Sequence, residues 1–135
     1  MIRIFISICA VGLSLVPFKT VTAHHAFSAM YDANKPVTLT GKVTKMQWMN
    51  PHIYYYIDVT EAAGKVTNYA IEGGTPNSLQ RNGWKRDSLK VGDMVTVQGF
   101  LARDGSNHVN GRQVKLPDGR RVFGGSADGG PGVQE

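Results

Sequence analysis

The stretch "IYYYIDVTEAAGKVTNYAIEG", residues 53 to 73, decides the fold class. Its first half alternates with a period of two, so that Ile53, Tyr55 and Ile57 share one face and the tyrosines between them share the other. Aromatic and β-branched side chains of this kind favour strands. The glycine-containing "EAAGK" then supplies a hairpin loop, and the remaining residues alternate again. The stretch therefore predicts an antiparallel β-hairpin.

A longer strand is predicted before this hairpin. In "VTLTGKVTKMQWM", residues 37 to 49, apolar positions alternate up to Val43 and then change phase at Met46 and Trp48. A slip of one residue within a strand predicts a β-bulge, here near residues 44 and 45.

The pattern changes after the hairpin. Thr75 is a good helix cap, Pro76 suits the first helical position and Gly83 is a typical stop, which predicts a short helix. Period-two alternation then predicts two strands, with Val95, Val97 and Leu101 inward in the first of them. These strands span residues 94 to 102 and 108 to 116, and a turn after them allows a short hairpin into "RRVF".

Three strands, a short helix and two strands form the element order of an OB-fold. We therefore predict an all-β domain, a five-stranded OB-like barrel with a short helix between strands 3 and 4. The mid-strand Gly41 would let the first strand curve. Another small barrel or sandwich fits the same pattern. The predicted organisation is a signal peptide at 1–23, an entry arm at 24–36, the barrel at 37–123 and a flexible Gly-rich tail at 124–135.

The leader sets the expected compartment. Arg3 precedes a short apolar run, Pro17 breaks it, and small residues precede His24, as at a signal-peptidase site. Cleavage after Ala23 would remove Cys9, the single cysteine, and leave no disulfide or thiolate site. We expect a periplasmic, monomeric product with no transmembrane segment. Its modest basic excess does not indicate a nucleic-acid partner.

Five motifs together resemble one family of small exported bacterial proteins, domain of unknown function number 6152. They are HH-x-F (24 to 27), W-x-NPH (48 to 52), IEGGTPN (71 to 77), GWKRDSLKVGD (83 to 93) and LPDGR (116 to 120). The resemblance implies an exported, single-domain, OB-like barrel protein of Gram-negative bacteria. It implies no activity, so the function has to be argued from the residues.

A metal site is the first functional hypothesis. If His24 begins the mature chain, its α-amine and ring nitrogen can chelate copper, and His25 and His52 can complete a nitrogen-rich set that suits Cu(II). His108 is a weaker candidate ligand, and Met30, Met46 and Met49 offer thioethers for Cu(I). Glu72 is a candidate to orient His52 by a hydrogen bond. Alternatively, the histidines are surface or loop residues without a metal.

A platform for a small organic ligand or an envelope protein is the second hypothesis. Its candidate residues are Trp48, Asn50, Tyr54, Tyr56 and Glu72. Outward aromatic side chains on strands 2 and 3 of an OB-fold can stack on ligands. For Trp48 and Trp84 the sequence favours a packing role over this one, whereas for Tyr54 and Tyr56 both roles stay open. No serine lies in a nucleophile motif and no acid–base pair is evident. The sequence therefore predicts no catalytic residues and favours a binding protein over an enzyme.

Overall fold

The computed structural model describes residues 27 to 125. The predicted signal peptide, His24, His25 and residues 126 to 135 of the predicted tail lie outside the described residues. Within the described part, no helix is long and apolar enough to cross a membrane.

In residues 27 to 125, six strands and one short helix follow a helical turn at residues 27 to 30, so the predicted all-β class with small helical content is confirmed. Their bounds are β1 Tyr31–Gln47, β2 Tyr54–Thr60, β3 Val66–Glu72, α1 Pro76–Arg81, β4 Met94–Ala102, β5 His108–Lys115 and β6 Arg121–Phe123. The strands form one sheet in the order β3-β2-β1-β4-β5-β6. The prediction of five strands was wrong by one, because the turn after β5 is followed by a strand that pairs with it.

Most neighbouring strands are antiparallel, but β3 also pairs with β5 in parallel, with Ala70 opposite His108 and Glu72 opposite Asn110. This pairing brings the end of β3 and the start of β5 together, although 35 residues or more separate them in the sequence. The pairing therefore places the polar side chains of Glu72 and Asn110 next to each other on the same face of the sheet.

Strand β1 is longer than its alternation predicts. It begins at Tyr31 rather than at residue 37, and Tyr31 pairs with Ala102 of β4. Much of the predicted entry arm is therefore strand. The predicted bulge is confirmed, since the register with β2 shifts between Val43 and Lys45. A Cβ atom on Gly41 would lie 2.5 Å from the carbonyl oxygen of Asp58, so this close approach requires glycine.

The hairpin of β2 and β3 contributes much of the main core. Ile53, Tyr55 and Ile57 are buried, as the period-two alternation predicts, and Ile71 joins them from the return strand. The loop contains Gly64 with a φ of 79°, a conformation that glycine adopts readily. The other fully or nearly buried members of this cluster are Val43, Leu79, Trp84, Leu89, Val95, Val97, Val109, Val114 and Leu116.

The short helix forms where its signals predict. The Thr75 side chain accepts a hydrogen bond from the backbone N–H of Ser78, and Leu79 is the residue that α1 places in the core. Trp84 follows the helix, is 2% exposed, and donates from Nε1 to the carbonyl oxygen of Phe123 at 2.9 Å. The core role considered for Trp84 is therefore confirmed.

A second, smaller cluster lies apart from the main core. It consists of Tyr31, Phe100 and Ala102, with Phe27 packed against them. The register between β4 and β5 shifts at Gln98 and Gly99. Because of this shift, Phe100 and Ala102 are buried as well as the predicted inward residues Val95 and Val97, while Leu101 is only partly buried against the main core.

The first residues of the predicted flexible tail are part of the folded domain. Gly124 and Gly125 are buried, Gly124 donates its backbone N–H to Arg112, and it accepts from the N–H of Gly74. The prediction that flexibility begins at residue 124 was therefore wrong, because composition alone does not reveal these backbone hydrogen bonds.

Replacing Tyr55 with phenylalanine is expected to raise the free energy of unfolding. The Tyr55 side chain is fully buried, and its hydroxyl has no hydrogen-bond partner among the described residues. A buried, unpaired hydroxyl costs about 1–3 kcal/mol, and phenylalanine removes it while keeping the ring. Chemical denaturation of both proteins tests this. A lower unfolding midpoint for the variant would show that a buried water binds the hydroxyl.

Candidate functional site

Glu72 is the centre of the most unusual polar cluster in the described residues. It is the last residue of β3 and is only 7% exposed. Its strand neighbours in register are Tyr54 on β2 and Asn110 on β5, so the three side chains leave the sheet on the same face. A carboxylate in such a position requires hydrogen-bond donors.

Two side chains supply those donors, and the phenol of a third lies nearby. His52, in the loop between β1 and β2, places Nδ1 2.6 Å from Oε1 of Glu72. The Tyr31 hydroxyl donates to Oε2 of the same carboxylate across the sheet. Tyr54 lies opposite Glu72 in the register of β2 and β3, and burial together with the charge of this carboxylate raises the pKa of the Tyr54 hydroxyl. The contact expected between Glu72 and His52 is therefore present.

The electrostatic setting is anionic. His52 can become a cation, whereas Tyr31 and Tyr54, the two phenols beside Glu72, are neutral. Burial, the Glu72 hydrogen bond and the nearby carboxylate charge raise the pKa of Tyr31 well above its usual value. Burial and then the charge of Glu72 raise the pKa of Tyr54 to about 12. The tyrosines thus stay protonated and able to donate at physiological pH.

The contact with Glu72 determines which ring nitrogen of His52 is available. When Nδ1–H donates to a carboxylate, the neutral imidazole carries its lone pair on Nε2. The His52 side chain is 28% exposed, and Nε2 has no hydrogen-bond partner among residues 27 to 125. This histidine–carboxylate pair is the arrangement in which metal-ligating histidines are usually held.

A titration of the tyrosine absorbance tests the position of Tyr54. We expect it to ionise near pH 12, and the Glu72→Gln variant to ionise at lower pH because a neutral amide replaces the carboxylate. An unfolded tyrosine has a pKa of about 10, so this group makes the free energy of unfolding fall as pH rises from about 10 towards 12. An unchanged titration in Glu72→Gln would place Tyr54 away from the carboxylate.

The remaining candidates for the ligand platform are distributed differently. Trp48 is half-buried against the main core, and Asn50 is exposed in the loop before His52. The Tyr56 hydroxyl donates to Gln47 at 3.0 Å, and Lys45 lies over its ring. The structure therefore groups Tyr54 with Glu72 and His52, and leaves Tyr56 with neighbours from β1.

The candidate metal ligands are also separated. Met46 packs against the core, whereas Met30 and Met49 are about half exposed, at 52% and 49%. His108 begins β5 and lines a groove near Met30. Residues 27 to 125 contain no group of three or more His, Cys, Asp or Glu side chains that could hold a metal.

Tyr31 is the site residue that the sequence does not single out. In "AFSAMY" it reads as an aromatic residue that needs a packing surface, and its ring does pack in the second cluster. Its hydroxyl meets a carboxylate 41 residues away. No local pattern reports a contact at that separation, because it depends on the register between strands.

The geometry defines a small, mostly antiparallel β domain with a buried carboxylate–histidine–tyrosine cluster at one end of its sheet. A family model matches residues 14–111 of the chain, and its description is "Family of unknown function (DUF6152)". The chain belongs to this family. Searches of curated proteins and of solved structures found no match.

Proposed function

We propose that this protein is an exported, non-enzymatic binding protein that holds copper through His52 and the histidine pair His24 and His25. The observation that carries the proposal is the contact between Glu72 Oε1 and His52 Nδ1 at 2.6 Å. It leaves Nε2 as the basic nitrogen of an imidazole whose side chain is 28% exposed. It also places a buried negative charge behind that nitrogen, which favours a bound cation.

Chain connectivity supports a contribution from the histidine pair. Phe27 packs on Tyr31, with ring centroids 5.8 Å apart, and the Tyr31 hydroxyl touches the carboxylate that holds His52. His25 is two residues before Phe27, so their Cα atoms lie within about 7 Å of each other along the chain. The pair is therefore joined by a short stretch of chain to Phe27, whose ring packs on the tyrosine that donates to Glu72.

The nature of the pair favours copper over zinc. If a signal peptidase cuts after Ala23, His24 presents an α-amine and a ring nitrogen that close one chelate ring. With the His25 and His52 imidazoles, the set is rich in nitrogen, which suits the tetragonal geometry of Cu(II). Zinc accepts imidazole equally well but gains no particular advantage from the terminal amine.

The proposed setting is the periplasm of a Gram-negative bacterium, where the protein acts as a monomer. The leader-like pattern of residues 1 to 23 supports export. We further propose that the domain is an OB-like barrel. Its support is the parallel β3–β5 pairing, which links both ends of the row β3-β2-β1-β4-β5. The loop with His52 then borders the face on which such folds commonly bind ligands.

Calorimetric titration with Cu(II) at neutral pH tests the proposal on the chain that begins at His24. We expect one tightly bound ion per chain. The matched control carries one additional alanine before His24, which displaces the α-amine and should weaken binding at least tenfold. Absent binding, or equal weak binding to both proteins, would contradict the copper proposal.

A small organic ligand or an envelope protein is the second candidate partner, and one observation favours it. A groove of about 370 Å³ lies between residues 29 to 31 and the β4–β5 loop, with Arg103, Asp104 and His108 among its lining residues. This volume is at the lower end of that of small-molecule sites. The half-buried Tyr54 and Tyr56 offer a further contact surface. This candidate requires no metal, so it gains support if the copper titration is negative.

A further inference from the structure

Tyr31 connects two features that are otherwise separate, the N-terminal arm and the His52 site. Its ring is 2% exposed and packs with Phe100 and Ala102, while Phe27 covers it from the preceding helical turn. The Phe27 ring meets Phe100 edge-on, with centroids 5.7 Å apart. This packing fixes the position of the Tyr31 ring and depends on the arm being docked.

The backbone at this point is held as firmly as the ring. Arg103 donates its backbone N–H to the carbonyl oxygen of Met30 at 2.9 Å, and its Nε donates to the carbonyl oxygen of Tyr31 at 3.0 Å. Tyr31 is also in register with Ala102 of β4. One residue of the β4–β5 loop therefore clamps the point at which the arm enters β1.

The Glu72 carboxylate bridges the arm to His52. Its Oε2 accepts from the Tyr31 hydroxyl, and its Oε1 faces Nδ1 of His52. A carboxyl group rotates as a unit, so the donor on one oxygen determines where the other oxygen points. Without the Tyr31 hydroxyl, the carboxylate would lose the restraint that directs Oε1 to His52.

We propose that Tyr31 is a positioning residue through which docking of the N-terminal arm fixes His52 in the tautomer with Nδ1–H and an outward Nε2 lone pair. This inference rests on the proposed function for the identity of the bound cation, but the coupling itself exists without metal. Docking of Phe27 on Tyr31 would then prepare the Nε2 atom of His52 for a cation, through the contacts from Tyr31 to Glu72 and from Glu72 to His52.

The opposing interpretation is that the Tyr31 hydroxyl only satisfies a buried carboxylate. In that case, removing the hydroxyl lowers stability but leaves the tautomer of His52 unchanged, because the imidazole–carboxylate contact is sufficient. Stability measurements alone do not separate the two interpretations. The ring nitrogens of His52 do, because their ¹⁵N chemical shifts distinguish a protonated nitrogen from one that carries a lone pair.

The test is ¹⁵N NMR of the metal-free, histidine-labelled exported protein, at a pH about two units above the ordinary histidine pKa of about 6.5. The His52 resonances are assigned by their loss in His52→Ala. Wild-type protein should show one tautomer, protonated at Nδ1. Tyr31→Phe, which keeps the ring, should show a mixture, and Phe27→Ala, which keeps the hydroxyl but loosens the arm, should shift in the same direction.

Tyr69→Phe is the matched control, because it removes a hydroxyl from a tyrosine of the same sheet that packs against the main core. It should leave the His52 shifts unchanged. A wild-type tautomer that persists in Tyr31→Phe overturns the positioning role, and one that persists in Phe27→Ala overturns the coupling to the arm. Far-ultraviolet circular dichroism verifies that each variant is folded.

Cu(II) titration of the same proteins separates this inference from the proposed function. If both hold, Tyr31→Phe weakens Cu(II) binding about 10–100-fold, the usual effect of removing an outer hydrogen-bond partner. If wild-type protein binds no copper but Tyr31→Phe still mixes the tautomers, the copper proposal fails and the positioning role stands. If copper binds equally well to both and the tautomer is unchanged, only the positioning role fails.

Discussion

Glu72→Ala is expected to lower the free energy of unfolding by about 1–3 kcal/mol and to weaken Cu(II) binding about 10–100-fold. The first effect arises because the Tyr31 hydroxyl lies in a buried cluster and loses its acceptor. The second arises because His52 loses the carboxylate that orients Nδ1. The fold itself should persist, since the strands that surround Glu72 remain paired through their backbones.

Glu61→Ala is the matched control for this prediction. Glu61 is an exposed glutamate of the β2–β3 loop, and its carboxylate accepts only from Thr67 among the described residues. Its replacement should change the free energy of unfolding by less than about 0.5 kcal/mol and leave copper binding unaltered. Equal effects from both substitutions would contradict the role of Glu72 as the hydrogen-bond acceptor that holds Tyr31 and His52.

Trp84→Ala is expected to produce the largest loss of stability, about 3–5 kcal/mol. The side chain is 2% exposed, stands beside the buried Tyr55 ring, and bonds through Nε1 to the backbone of β6 at Phe123. Its removal would create a cavity and would also leave that carbonyl without its partner. The free energy of unfolding of a small domain is only about 5–15 kcal/mol, so this variant should be barely stable.

Trp48→Ala is the control for Trp84→Ala, since it removes the same side chain from a half-buried position against the same core. In urea denaturation, Trp48→Ala should lower the free energy of unfolding clearly less than Trp84→Ala does. The chain has two tryptophans, so the tryptophan fluorescence of each variant comes from the one indole ring that remains. Equal losses of stability would contradict the assignment of Trp84 to the centre of the core.

The strands and turns of this domain are largely predictable from local pattern. The period-two alternation in residues 53 to 60, the bulge after Val43 and the Thr75 cap each depend on residues close in sequence, and the structure confirms them. The start of β1 is less predictable, because residues 31 to 36 do not alternate. Tyr31 and Pro36 pair with Ala102 and Phe100 of β4, and the register shifts between these two pairs.

The site was predictable only in part, for the same physical reason. Glu72 at the end of an apolar strand, together with His52 in the preceding loop, indicates a contact, since adjacent strands of a hairpin bring these positions together. Tyr31 reaches the same carboxylate only because β1 pairs with β4, β4 with β5, and β5 with β3. The second cluster, which holds Tyr31, follows from the shift at Gly99 and has no signal in the local sequence.

Electron paramagnetic resonance of bound Cu(II) tests the central claim most directly. The chain that begins at His24, labelled with ¹⁵N in its histidine rings, is compared with His52→Ala and with His108→Ala, whose histidine lies at the start of β5. We predict that His52→Ala loses the hyperfine coupling of one imidazole nitrogen, whereas His108→Ala retains the wild-type spectrum. An identical spectrum for wild-type protein and His52→Ala would contradict the account, because copper would then bind without the histidine that Glu72 holds.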